Sequence, residues 1–188
     1  MNFRRATPDD AEAIAALHTS SWRLTYDAVL SRAYLEKTVP LERKALWAQR
    51  LGSPKANQYA LVAESESGLL GFACAFVSEH AEWGSYLDNL HVSAFHQGQG
   101  IGKKLLFDVA QWCEVQAPEQ GLYLSVNQEN HRAQKFYLGL GAHNAKPGVW
   151  NAPDGSSVPT YWFVWQSVGS LITKAANPSI QGTAFGGP

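Results

Sequence analysis

Short runs at residues 2–5, 59–64, 69–77, 86–92, 122–126, 145–150 and 160–165 read as strands, apolar and polar by turns at 86–92 and near-continuously apolar at 59–64 and 69–77. Between them, apolar residues recur at helical spacing. Ile14, Leu17 and His18 form one stripe, behind a start at Thr7 with Pro8, Asp9 and Asp10 in the first turn. Residues 20–51 carry Trp22, Tyr26, Leu30, Tyr34 and Leu35, then Leu41, Leu46, Trp47 and Leu51, and read as two or three helices broken near Leu30 and at Pro40. Leu105, Leu106, Val109, Ala110 and Cys113 place a helix over 102–115, and a short helix over 130–138 is bounded by Asn130 and by Gly139 and Gly141.

The order of these elements predicts an α/β (α+β) domain over residues 1–166. Polar turns at 65–68 and around Pro153-Asp154-Gly155 make hairpins, so the early strands are antiparallel neighbours. The strand–helix–strand run from 86 to 126 makes one parallel pair. Residues 167–188 show no sustained period and end in Gly-Gly-Pro, so a poorly ordered or surface tail is expected.

Composition narrows the class. The chain has 188 residues, 45% hydrophobic and 16% charged, with net charge -1, which fits one globular domain and gives no basic stretch for nucleic acid. No apolar run is long enough to span a membrane and no apolar leader opens the sequence, so a cytoplasmic location is expected. Cys74 and Cys113 fall inside predicted elements and read as buried thiols. No His/Cys spacing matches a metal site, so no metal is expected.

The stretch 86–104, YLDNLHVSAFHQGQGIGKK, carries the first chemistry. A strand runs into Gln97, Gly98, Gln99, Gly100, Ile101 and Gly102, and a helix follows with Lys103 and Lys104 in its first turn. Glycines at a helix N-terminus bring backbone N–H groups up to an anion. Gln97 stands where a Walker loop needs glycine, and Lys104 where it needs Ser or Thr. The pattern G-x-G-x-G, lying in the middle of the sequence, is also a poor dinucleotide fingerprint. A second constellation, Asn130, Ala133, Phe136 and Tyr137, forms N-x-x-A-x-x-F-Y. Its offsets of three and seven return Asn130, Ala133 and Tyr137 to one helix face.

Together, Q-x-x-G-x-G at 97–102 and N-x-x-A-x-x-F-Y at 130–137 resemble the GNAT N-acetyltransferases. The resemblance implies the GNAT acyl-CoA N-acyltransferase fold, a mixed, mostly antiparallel sheet with a splayed central parallel pair and flanking helices. It implies acetyl-CoA as co-substrate. Leu90, His91 and Val92 would offer main-chain hydrogen bonds to the pantetheine arm, and residues from Gln97 through Gly98, Gln99, Gly100, Ile101 and Gly102 to Lys103 would cradle the pyrophosphate. Asn130, Ala133, Phe136 and Tyr137 would line the cofactor cleft. The insertion at 20–51 would close over the acceptor, with Trp22 and Tyr26 as contacts beside Glu82 and Asn89. Each of those aromatics reads equally as core.

Direct transfer to an amine needs a proton acceptor, because an alkyl amine with pKa near ~10.4 is charged at neutral pH. Asp88 and Glu82 are the candidates. Asp88 has the parity of Leu90 and Val92, which places it on the expected cofactor face, although a solvent-facing strand position would explain it as well. Tyr137 is the candidate donor to the departing sulfur. The expected acceptor is a small-molecule amine, with a cationic one suited by Glu79, Glu82 and Asp88. A protein or peptide acetyltransferase and a non-catalytic acyl-CoA sensor are the alternatives. A homodimer is expected from exposed sheet edges and from Trp150, Trp162 and Trp165.

Overall fold

In the computed structural model, which describes residues 1–176, the strand-like runs form one seven-stranded sheet. Its strands are β1 (Asn2–Arg5), β2 (Gln58–Ser65), β3 (Gly68–His80), β4 (Gly84–Val92), β5 (Leu122–Asn127), β6 (His143–Asn151) and β7 (Ser157–Trp165), in the order β1-β2-β3-β4-β5-β7-β6. All neighbours are antiparallel except β4 and β5. That is the mixed sheet with one central parallel pair implied by the sequence resemblance.

The helices are α1 (Ala11–Tyr26), α2 (Val39–Gly52), α3 (Ile101–Gln116), α4 (His131–Gly139) and α5 (Val168–Ala176). Side-chain alternation sorts them onto two faces. Ala60, Val62, Phe72, Cys74 and Phe76 pack with Ile14 of α1 and with Trp47 and Leu51 of α2. Their neighbours Leu61, Ala63, Ala73 and Ala75 pack with Leu105, Leu106, Val109 and Cys113 of α3. Because β2 and β3 are covered on both sides, they read in sequence as continuous apolar runs. Cys74 and Cys113 are buried free thiols in different clusters, and burial pushes them up to about 12 and about 11.

Two expectations change. Pro40 does not break a helix; it lies in the first turn of α2, where its missing N–H costs nothing. A wider turn, Tyr34–Thr38, leads into it. There the carbonyls of Leu35 and Glu36 accept hydrogen bonds from Arg23 of α1 at 3.3 Å each. The expected tail is helical from Val168 to Ala176, with Val168 and Leu171 buried against α3; residues 177–188 lie outside the described residues. A helix of two and a half turns is too short to show a period. The three tryptophans offered for a dimer are engaged within the chain. Trp165 is in the core and donates to Leu140 O, Trp150 packs on Trp22 and Tyr26, and Trp162 packs on Tyr123. Among the described residues, no helix is long and apolar enough to cross a membrane.

Candidate active site

The parallel pair is closed at one end and open at the other. Its register holds only for Ser85 opposite Leu122 and Tyr86 opposite Tyr123. Gly84 and Gly121 permit this close approach: a Cβ on Gly121 would stand 2.5 Å from Trp165 O and 2.8 Å from Trp83 O. Ser85 N–H donates to Gly121 O at 3.0 Å. Beyond Tyr86 the strands part, and among the described residues β4 pairs from there on with β3 and no longer with β5. The exposed edge leaves backbone groups of β4 for a ligand to satisfy. A cleft of about 1580 Å³ follows this seam, roomier than the roughly 300–1,000 Å³ of an ordinary small-molecule pocket.

A bulge decides which way β4 side chains point. Cys74 pairs with Asn89, and the next residue, Ala75, pairs with Leu87, so Asp88 is an extra residue. Asp88 and Asn89 both face α2, where Arg50 Nη1 donates to Asp88 Oδ2 at 2.6 Å and to Asn89 Oδ1 at 2.9 Å. Leu90 and Val92 pack on the α3 cluster. The parity argument for Asp88 therefore fails: it lies on the opposite face from Leu90 and Val92, because alternation cannot be counted through a bulge. Asp88 still lines the cleft, from the α1–α2 side.

One end of the cleft is formed by the glycine loop. Gly100 is the N-cap of α3 at φ 82°, a left-handed conformation natural to glycine. Lys104 N–H already bonds Gly100 O at 3.0 Å, so the N–H groups of Ile101, Gly102 and Lys103 precede the first helical bond. Gln97 reaches back, its Nε2 donating to Val92 O at 3.0 Å. Gln97, Gly98, Gly100, Ile101, Gly102 and Lys103 line the cleft; Gln99 is exposed outside it. Lys104 also turns away, paired with Asp108, so Lys103 is the lysine available here. Across the seam, Asn130 caps α4 by accepting from Ala133 N–H at 3.1 Å, and Asn130, Ala133, Phe136 and Tyr137 line the cleft on that face. Tyr137 packs on Phe163 and Trp165, and burial pushes its phenol well above the usual value.

The other end is roofed by α1, α2 and the β6–β7 hairpin. Asp154 of the hairpin turn accepts from Ser31 N–H at 2.7 Å, tying it to the connection between α1 and α2. That donor, with Ser156 N–H at 3.0 Å, holds the Asp154 carboxyl down to about 2. Trp22, Tyr26 and Trp150 meet in one aromatic cluster, with ring centroids 5.1–5.6 Å apart. Beneath it His18 is 1% exposed; its Nδ1 accepts from Trp47 Nε1–H at 3.0 Å, and its ring lies 4.7 Å from that of His91. Indole can only donate, so His18 is the neutral Nε2–H tautomer. Burial pushes both imidazoles down, His91 to about 4.

Most candidates thus converge on one cleft: Asp88, Leu90, His91, Val92, the loop, the α4 face, Trp22, Tyr26 and Asn89. Glu82 does not. It is exposed in the β3–β4 turn, where its N–H donates to His80, and Glu79 is held by Asn57. Sequence reasoning missed Arg43, Arg50, His18 and Trp150 as cleft residues. The available signal was α2 itself, where Arg43 and Arg50 sit seven residues apart on a face shared with Leu46 and Trp47.

The family model for the acetyltransferase (GNAT) family matches residues 14–142. No curated protein matches the sequence significantly. Among solved structures, this protein is similar to the PaiA N-acetyltransferase of Thermoplasma acidophilum in complex with coenzyme A, at 20% identity and TM-score 0.65, covering 85% of this chain and 96% of that one. It is also similar to Arabidopsis thaliana NAA60 with a bisubstrate analogue, at 17% identity, TM-score 0.68 and coverage of 87% and 96%. Salmonella typhimurium yncA with its cofactor acetyl-CoA matches at 17% identity, TM-score 0.63 and coverage of 88% and 93%.

Proposed function

The chain belongs to the acetyltransferase (GNAT) family, and from that premise we propose that it transfers an acetyl group from acetyl-CoA to the primary amine of a small molecule by direct attack. The observation that carries this reading is the β4–β5 seam, pinned at Gly84 and Gly121 and opening toward the N-terminus of α3, with Tyr137 on its wall. The residues present fit the co-substrate. The free edge of β4 at Leu90, His91 and Val92 suits the pantetheine amides, while the N–H groups of Ile101, Gly102 and Lys103 with the Lys103 ammonium suit the pyrophosphate. Asn130, Ala133 and Phe136 close the opposite side. Bound there, acetyl-CoA would supply an activated acetyl group.

The protein's share of the chemistry is proton handling. An N–C bond forms as a C–S bond breaks, the amine gives up a proton, and the departing sulfur needs a donor. Asp88 spends Oδ2 on Arg50, and Oδ1, with no partner among the described residues, accepts the amine proton directly or through water. Tyr137 would donate a hydrogen bond to the sulfur. Its raised pKa keeps the phenol protonated far above the thiol's ~8.5, so it steadies negative charge without ionising. The aromatic roof of Trp22, Tyr26 and Trp150, tied down by Asp154, favours a compact acceptor over an extended peptide.

The test is thiol release from acetyl-CoA across amines and a lysine peptide, for the wild type and Tyr137→Phe. We expect amine-dependent release, with kcat reduced about 10–100-fold in the variant and coenzyme affinity little changed. Tight acetyl-CoA binding without release to any amine would favour a sensor, and release only to the peptide would reverse the choice of acceptor.

A further inference from the structure

Resting on the acetyl-transfer reading, we propose that the acceptor is an amine that also carries a carboxylate, an apolar α-amino acid or a close analogue, and that Arg43 of α2 receives that carboxylate. Arg43 and Arg50 both reach the cleft from one face of α2, but they are differently engaged. Arg50 is committed to Asp88 and Asn89 at 2.6 and 2.9 Å. Arg43 has only Glu42, at 3.4 Å, and Glu42 is itself held by the Tyr34 hydroxyl at 2.7 Å. The Arg43 side chain is 15% exposed, and its buried Nε has no hydrogen-bond partner among the described residues.

The guanidinium is also pre-positioned, lying over the Trp22 ring at 4.3 Å. A planar fork held on an aromatic face, with donors unspent, matches a carboxylate in two parallel hydrogen bonds. Burial lowers the Arg43 pKa, as expected for a guanidinium short of counter-charge.

The charge balance of the cleft agrees. Arg43, Arg50, Lys103 and Arg132 line it against Asp88 and Glu129. Lys103 and Arg132 stand in the first turns of α3 and α4, on the two sides of the seam. At the acceptor end, two arginines face one aspartate that is already paired. A diamine or polyamine would bring its second cation against Arg43, whereas an amino acid sends its amine toward Asp88 and its carboxylate to Arg43. Trp22, Tyr26 and Trp150 provide the wall for an apolar side chain. Of the three carboxylates that suited a cationic acceptor, Glu79 and Glu82 are not in the cleft, and Asp88, which is, is already paired with Arg50.

The experiment compares matched acceptors, leucine, methionine and phenylalanine against their C-terminal amides, with a diamine as third arm, under saturating acetyl-CoA. The carboxylate keeps the amine of the acid more basic, so intrinsic reactivity at pH 8 favours the amide. A preference for the acid would therefore report binding. We expect kcat/KM for the acid to exceed that for the amide by about tenfold or more, with Arg43→Gln bringing the ratio toward one, mainly through KM, and Arg43→Lys restoring part of it. Equal use of acid and amide by the wild type, a preferred diamine, or an acid-to-amide ratio unchanged in Arg43→Gln would overturn the proposal while leaving acetyl transfer standing. Should Arg43→Gln not fold, the wild-type ratio and Arg43→Lys decide. Failure to acetylate any amine would instead remove the transfer reading, and this proposal with it.

Discussion

At the scale of single residues, the site is built from groups whose charge states are fixed by where they sit. His91 binds its proton only near pH 4, against 6.5 for a free imidazole, and His18 is pushed down as well. Between those two pH values the unfolded protein holds protons that the folded one does not, so stability rises with pH through the window and is lost as pH falls from 6.5 to 4. His91 alone accounts for up to about 3 kcal/mol. Carboxylates held low by partners, such as Asp10 beside Arg4, lose their contribution only at lower pH. The urea midpoint should therefore fall sharply from pH 7 to pH 5 for the wild type and about half as far for His91→Phe, in which His18 keeps its own share; equal falls would place the acid sensitivity elsewhere. Residues of this kind were only partly legible. Tyr137 and Asn130 stand in a motif whose spacing is local to one helix, so counting residues sufficed. Arg43 and His18 acquire meaning only when α1 and α2 meet β4, and nothing within either helix announces that meeting.

At the scale of elements, what matters is how two strands are joined and then separated. The boundaries of β4, α3, β5 and α4 were readable because each has its own signal: apolar alternation, Gly100 before a helical stripe, Asn130 as a cap. The bulge at Asp88 was not, since it arises from the register of β3 against β4 and sends one carboxylate to the other face. Nor was the reason the seam closes where it does. Gly121 has backbone oxygens of Trp165 and Trp83 where a side chain would go, and backbone atoms cannot rotate aside. Gly121→Ala should cost roughly 1–3 kcal/mol or more and, by prising the closed end apart, weaken coenzyme A binding although the residue is not in the cleft. A denaturant titration beside a coenzyme A titration checks both. Lost stability with full affinity would mean that the seam angle is set elsewhere, for example by the packing of Tyr86 on Tyr123.

For the whole molecule, the two faces of the sheet divide the labour. The face under α1 and α2 carries the end of the cleft proposed for the acceptor, with its arginines, imidazoles and aromatic roof. The face under α3 is an apolar block that holds the anion loop at a fixed height above the seam. That block is completed by α5, the segment that sequence alone left as a loose tail. Val168 and Leu171 are fully buried against it, and Val168 N–H donates to Gln120 O at 3.2 Å, next to the glycine that pins the seam. If α5 is a working part of the core, Leu171→Ala removes side-chain atoms that no solvent can replace and costs about 2–5 kcal/mol. At about 2–4 °C per kcal/mol for a protein of this size, the melting temperature should drop by some 4 °C at the least, while Lys174→Ala on the exposed face of the same helix should barely move it. Equal melting of both variants would return α5 to the surface. A fall confined to Leu171→Ala would mean that the apolar block under α3 runs on to the last turns of the described residues, through contacts that have no periodicity of their own.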